Sequence, residues 1–75
     1  MLEVIKKLKN HHNGSKAFMV YVFILNNLND KKELNVRQSD LQAELDFSLP
    51  TIRECLRTLK EEGLISFGYG FIKVN

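Results

Sequence analysis

Ser39-Asp40-Leu41-Gln42-Ala43-Glu44-Leu45, then Ser48-Leu49-Pro50-Thr51-Ile52, then Leu56-Arg57-Thr58-Leu59-Lys60-Glu61-Glu62-Gly63-Leu64-Ile65, is the stretch on which the reading of this chain depends. Ser39 stands ahead of the apolar positions Leu41 and Leu45, with Gln42 three residues on. That is capping-box spacing, in which side chains satisfy orphan backbone donors reciprocally. It predicts a first short helix over 39–46. Ser48 offers a hydroxyl cap to a second helix over 48–62, whose early Pro50 is tolerated because first-turn amides lack intrahelical acceptors. Asp46 and Phe47 are left as the turn. Ile52, Cys55, Leu56 and Leu59 recur at the spacing of one helical face, and Gly63 supplies a left-handed stop.

Beyond Gly63 the pattern changes period. Residues 64–74 predict a hairpin, with Leu64 to Phe67 as one strand, Gly68-Tyr69-Gly70 as the turn and Phe71 to Val74 as the return. Alternation sets Ile65 and Phe67 against Ser66, and Ile72 and Val74 against Phe71 and Lys73, so one face is core and the other wet. The glycines flanking Tyr69 permit positive φ and push its ring outward. Such a ring can lie on a sugar or stack on an unpaired base, or it is an exposed turn tyrosine without a task. Both readings stand.

These three segments, in this order, resemble the winged helix-turn-helix superfamily of DNA-binding domains. The leucines followed by Glu-Gly and Leu-Ile are similar to the segment that closes the second helix and starts the wing in MarR-like and GntR-like regulators and in some plasmid replication initiators. The resemblance covers about half of the chain. It implies a mainly α fold with a small antiparallel β-wing, here with an extra N-terminal helix, and a third strand from Leu34-Asn35-Val36 in which Val36 is buried. It implies DNA as partner, with residues 39–46 as supporting helix and 48–62 as recognition helix. Thr51, Arg53, Glu54, Arg57 and Thr58 fall off the apolar face of that helix. Arg53 and Arg57, one turn apart, suit guanine edges or phosphates, and the threonines suit phosphate or a thymine methyl. Ser48, Leu49, Arg37, Gln38, Tyr69 and Lys73 complete the expected DNA-binding set. Leu49 departs from the family's polar or basic tendency at that position. The alternative is a solvated helix face.

Upstream, residues 1–13 read as an amphipathic helix with Leu2, Ile5 and Leu8 on one side, ended by Asn13-Gly14. Ser15 can cap the next helix, 15–29, whose run from Ala17 to Leu25 is apolar all around. That run falls far short of the roughly 20 residues that span a bilayer, and no small-residue cleavage site follows it. No membrane partner is expected and the location reads as cytoplasmic. Val20, Val22 and Ile24 also suit a buried strand, so helix here leans on the resemblance. A helix without a polar face must be covered on more than one side. Homodimerisation through Leu2, Ile5, Leu8, Phe18, Val22 and Phe23 would cover it. The competing arrangement is a monomer whose first helix folds back over its second. Asn26 to Glu33 reads as a surface loop, able to face DNA or a partner.

The 75 residues form a single domain near the lower size limit for an unstapled core, with 44% apolar composition and net charge +2. Charge is distributed unevenly. Residues 1–16 carry four lysines against one glutamate, net +3, residues 17–47 come to −2, and residues 48–75 to +1. One cysteine excludes an internal disulfide and fits a reducing compartment, and Cys55 lies on the apolar face. His11 and His12 are adjacent, about 100° apart on a helix, with no ligand-spaced Cys or carboxylate, so no metal is expected. No nucleophile-base-acid set can be assembled, and neither catalysis nor a cofactor is expected. A small-molecule pocket is not expected beside so small a core. Two functional classes remain. One is a DNA-binding protein in transcriptional regulation or in replication of a mobile element, on duplex or single-stranded DNA. The other is a protein-protein interaction module with weak or no DNA binding.

Overall fold

A computed structural model describes all of residues 1–75. It holds four helices, α1 (Leu2–Leu8), α2 (Gly14–Asn26), α3 (Gln38–Leu45) and α4 (Leu49–Glu61). Three strands, β1 (Glu33–Leu34), β2 (Ile65–Gly68) and β3 (Phe71–Val74), form an antiparallel sheet in the order β1-β3-β2. The chain is therefore mainly helical with a small three-stranded sheet. No helix is long and apolar enough to cross a membrane.

The run that local propensity left between helix and strand is helix. Ala17, Val20, Tyr21 and Ile24 of α2 are buried, an i, i+3, i+4, i+7 stripe that only the helical period aligns. It packs on α4, whose Ile52, Cys55, Leu56 and Leu59 are the inward face expected from their spacing. Leu41 of α3 and Ile65 and Ile72 of the sheet close the same core. Burial pushes the Cys55 thiol pKa up, with the Lys16 ammonium opposing and the Glu54 carboxylate adding to the shift. A group that titrates higher when folded binds more protons in the native state. Its contribution is complete below the ordinary thiol pKa and declines as pH rises above it. Cys55 should react with a thiol reagent only as fast as the domain unfolds, which stopped-flow labelling with and without denaturant measures. Rapid modification of the native protein would contradict its burial.

Helix ends differ from the spacing-based reading where a stronger partner intervenes. Helix α3 starts at Gln38, not Ser39, because the Asp40 carboxylate accepts the Arg37 N–H at 3.1 Å. An ionised acceptor near the positive helix terminus outcompetes the serine hydroxyl. Ser48 does cap α4, accepting from the Thr51 amide at 3.4 Å, with Pro50 in the first turn. At the far end Gly63, φ +74, lets its own N–H reach the Lys60 carbonyl and the Leu64 N–H reach Leu59, the paired bonds of a Schellman stop. Helix α1 ends at Leu8 rather than running to residue 13. Two turns follow, closed by His11 N–H to Leu8 O and Gly14 N–H to His11 O. Helix α2 begins at Gly14 with Ser15 inside its first turn, and ends at Asn26 rather than residue 29. There the Asn27 side-chain Nδ2 donates to the Phe23 carbonyl at 2.8 Å.

The inward stripe of α1 is also different from the expected one. Val4 and Leu8 are buried, while Leu2 is 65% and Ile5 45% exposed. Leu8 thus belongs to the chain's own core and is not free to form a dimer interface. Phe18, Val22 and Phe23 are half-buried, Phe18 and Phe23 being packed against the core. The corner between α1 and α2 is fastened to the end of α4. His11 Nε2 lies 2.8 Å from a Glu62 carboxylate oxygen, Asn13 donates to the Thr58 hydroxyl at 3.1 Å, and Lys7 donates to the Glu62 carbonyl at 3.3 Å.

In the sheet the third strand is Glu33–Leu34, paired with Lys73 and Ile72, and the Val36 N–H extends the ladder to the Gly70 carbonyl. Val36 is half-buried rather than fully enclosed. Gly68 pairs with Phe71, so the connection is two residues, Tyr69-Gly70, with Gly70 at φ +81. The loop before β1 is closed by Asn29, whose side-chain oxygen accepts from the Lys31 and Glu33 amides. Its Lys32 carbonyl accepts from Val74, which sets that loop at the open end of the hairpin, away from Tyr69.

Candidate nucleic-acid interface

The start of α3, the first half of α4 and the hairpin turn meet around one groove of about 420 Å³. Arg37, Gln38, Leu49, Arg53 and Tyr69 line it, together with Ser39, Gly68 and Gly70. No carboxylate is among them. Gln38 is brought beside Arg53 by the turn between the helices, and its side-chain oxygen accepts from Arg53 Nε at 3.2 Å. That bond orients the guanidinium and leaves its terminal nitrogens as free donors. Tyr69 is 95% exposed at the lip. Arg57 lies one turn further along the exposed face of α4, with Lys60 beyond it. Neither arginine contacts a carboxylate, and the one close contact between a basic side chain and a carboxylate is that of His11 with Glu62.

The expected site residues do not all gather there. Ser48 and Thr51 are engaged in the helix cap, their hydroxyls 2.8 Å apart. Thr51 and Glu54 instead border a separate polar depression with His12, Asn13, Ser15 and Lys16 at the start of α2. Lys16 also lies over the Phe47 ring, 5.8 Å from its centroid. Lys73 is on the outer face of the sheet, across from Ser66 and Glu33. Thr58 is a correction. It is buried, and its hydroxyl both accepts from and donates to the Asn13 side chain, so it holds the α1–α2 corner and cannot meet a ligand.

Helical spacing placed Thr58 off the apolar face, whereas in the fold it is buried and bonded to Asn13 from a distant segment. Sequence spacing does not distinguish Lys16 among the basic residues. The only signal for it is a basic side chain in the first turn of a helix, too common to indicate a site. No cluster of His, Cys, Asp and Glu could hold a metal ion.

The fold and groove define a small helical domain with a basic, carboxylate-free cleft beside an exposed hairpin turn. The chain matches no protein-family model, no curated protein and no solved structure.

Proposed function

We propose that this protein is a winged helix-turn-helix domain that binds DNA, with α4 as the recognition helix and the β2–β3 hairpin as the wing. The observation that carries this reading is the pair Arg53 and Arg57, exposed one turn apart on α4 without carboxylate partners and adjoining the groove that Arg37 and Tyr69 share. Guanidinium groups in that register match the bidentate acceptors of guanine or two adjacent phosphates, and the Gln38 bond supplies pre-organisation for one of them. The proposed role is binding rather than catalysis, in the cytoplasm, in transcriptional regulation or in replication of a mobile element.

The test is binding to labelled duplex across salt concentrations. Affinity should fall linearly in log-log form with salt, as counterion release requires. Arg53→Ala and Arg57→Ala should each cost about 1–3 kcal/mol of binding while the thermal melt stays near wild type. A double variant that binds like wild type would remove α4 from the interface. An interaction module would bind a protein partner with no salt slope on DNA.

The proposal includes a homodimer. Leu2, Ile5 and Met19, on the two N-terminal helices, and Met1 just before the first, are 45–65% exposed. A hollow of about 560 Å³ between these helices is lined by Ile5, Leu8, Phe18 and Met19 with Lys9, Gly14 and Ser15. An apolar patch rimmed by polar residues is the usual mark of an interaction surface. A twofold contact there would present two α4 helices to successive half-sites.

A further inference from the structure

The outer face of the hairpin carries an aromatic side chain that core packing does not require. Ile72 of β3 is buried, so Phe71 and Lys73 point to the opposite, solvent side of the sheet. Phe71 is nevertheless held in place. Its cross-strand partner is Gly68, and a Cβ on Gly68 would stand 2.5 Å from Phe71 Cε1 and 2.9 Å from Cζ. One edge of the ring therefore occupies the space that glycine leaves vacant, and the residue remains 39% exposed. Gly68 has no positive φ to explain it, unlike Gly70. What the glycine provides is room for the ring.

The surroundings suit a base with its phosphates. Tyr69, two residues before Phe71, projects from the turn, and Lys73, two residues after it, shares its face of the sheet. Arg37 lines the groove at the same turn. Neither Lys73 nor Arg37 is ion-paired, and Glu33, across from Lys73, forms no bridge with it. An exposed ring fixed at one edge, with an unpaired lysine on the same face of the sheet and an arginine in the groove at the adjoining turn, has the elements with which single-strand binders stack bases sequence-tolerantly.

We propose that this outer face is a stacking platform for an unpaired DNA base, with Phe71 as the floor and Lys73 and Arg37 meeting the adjoining phosphates. The inference rests on the DNA-binding reading for its ligand class and extends it. A strand leaving the duplex near the hairpin turn would pass onto the sheet, so the preferred DNA carries a single-stranded segment. Cross-strand cover alone would be served by any large apolar side chain, and Phe71→Leu retains that cover. Gly68→Ala acts from the other side, displacing the ring while leaving Phe71 in the chain.

The experiment measures binding of the full chain to a labelled oligothymidine of about ten nucleotides and to a blunt duplex, by fluorescence anisotropy at several salt concentrations. Expected is a loss of at least about fivefold in oligothymidine affinity for each variant, the lower end of one lost base stack. For Phe71→Leu, duplex affinity and the thermal melt should stay near wild type. Oligothymidine binding that ignores both substitutions, or that lacks salt dependence as a protein-type ligand site would, overturns the platform. Duplex binding that still depends on Arg53 and Arg57 in that case leaves the DNA reading standing. Failure of both DNA forms to bind overturns both.

Discussion

Leu8→Glu should unfold this protein, whereas Ile5→Glu, one turn earlier on the same helix, should leave it folded. Leu8 is 2% exposed within the single core that α1 shares with α2 and α4. Truncating such a leucine costs about 2–5 kcal/mol, and a carboxylate in its place adds the penalty of burying a charge with no partner. Against this stands a total stability of roughly 4–11 kcal/mol for 75 residues. The sum takes most or all of it. Ile5 faces the open hollow, so a glutamate there stays hydrated and should shift stability by no more than about 1 kcal/mol. Circular dichroism melts separate the two. Sedimentation equilibrium of Ile5→Glu then reports on association without the ambiguity of unfolding. A wild-type dimer that becomes an 8.7 kDa species in this variant supports the twofold contact, and a wild type already at 8.7 kDa across micromolar concentrations excludes it.

The second large effect is expected at Gly14. It opens α2 buried against the end of α1, where a Cβ would meet the Leu8 carbonyl oxygen well inside van der Waals contact. The obstacle is backbone, which cannot swing aside as a side chain would. Its own N–H is bonded to the His11 carbonyl, so the corner cannot move without breaking the turn. Gly14→Ala should therefore destabilise by about 1–3 kcal/mol, the usual cost of overpacking a filled site, despite alanine's better helix propensity. Gly63→Ala makes the useful comparison, since no atom lies within 4 Å of a Cβ there and the strain comes only from φ +74. Denaturant titration of both variants gives the values. A neutral Gly14→Ala would mean that the α1–α2 corner is looser than its contacts imply.

Much of the architecture was legible because periodicity and caps are local. The stripe Ile52, Cys55, Leu56, Leu59, the Ser48 cap, the Gly63 stop and the inward-facing Ile65 and Ile72 all follow from residues within a few positions of one another. So does the outward Tyr69. Where two local signals competed, the chain did not announce the winner. Asp40 and Ser39 both offered acceptors at the start of α3, and the carboxylate took the Arg37 amide. Leu2, Ile5 and Leu8 make as regular a local stripe as Val4 and Leu8, and the packing of α1 against α2 buries the second.

The candidate groove was legible only as a set of residue types. Arg53 and Arg57 could be placed on one exposed face from helical spacing alone. That Gln38 would orient Arg53, and that Arg37 and Tyr69 would share a groove with it, depends on how α3, α4 and the hairpin pack. Thr58 shows the same limit in reverse. Its spacing on α4 puts it off the apolar face, yet it is buried and bonded to Asn13, 45 residues away. Short-range hydrogen bonds and the 3.6 and 2.0 periods act between neighbours in the chain, so sequence alone determines the elements and their apolar faces. Which polar side chains those elements cover, orient or leave free is set by contacts between distant segments, and these exist only once the core has closed.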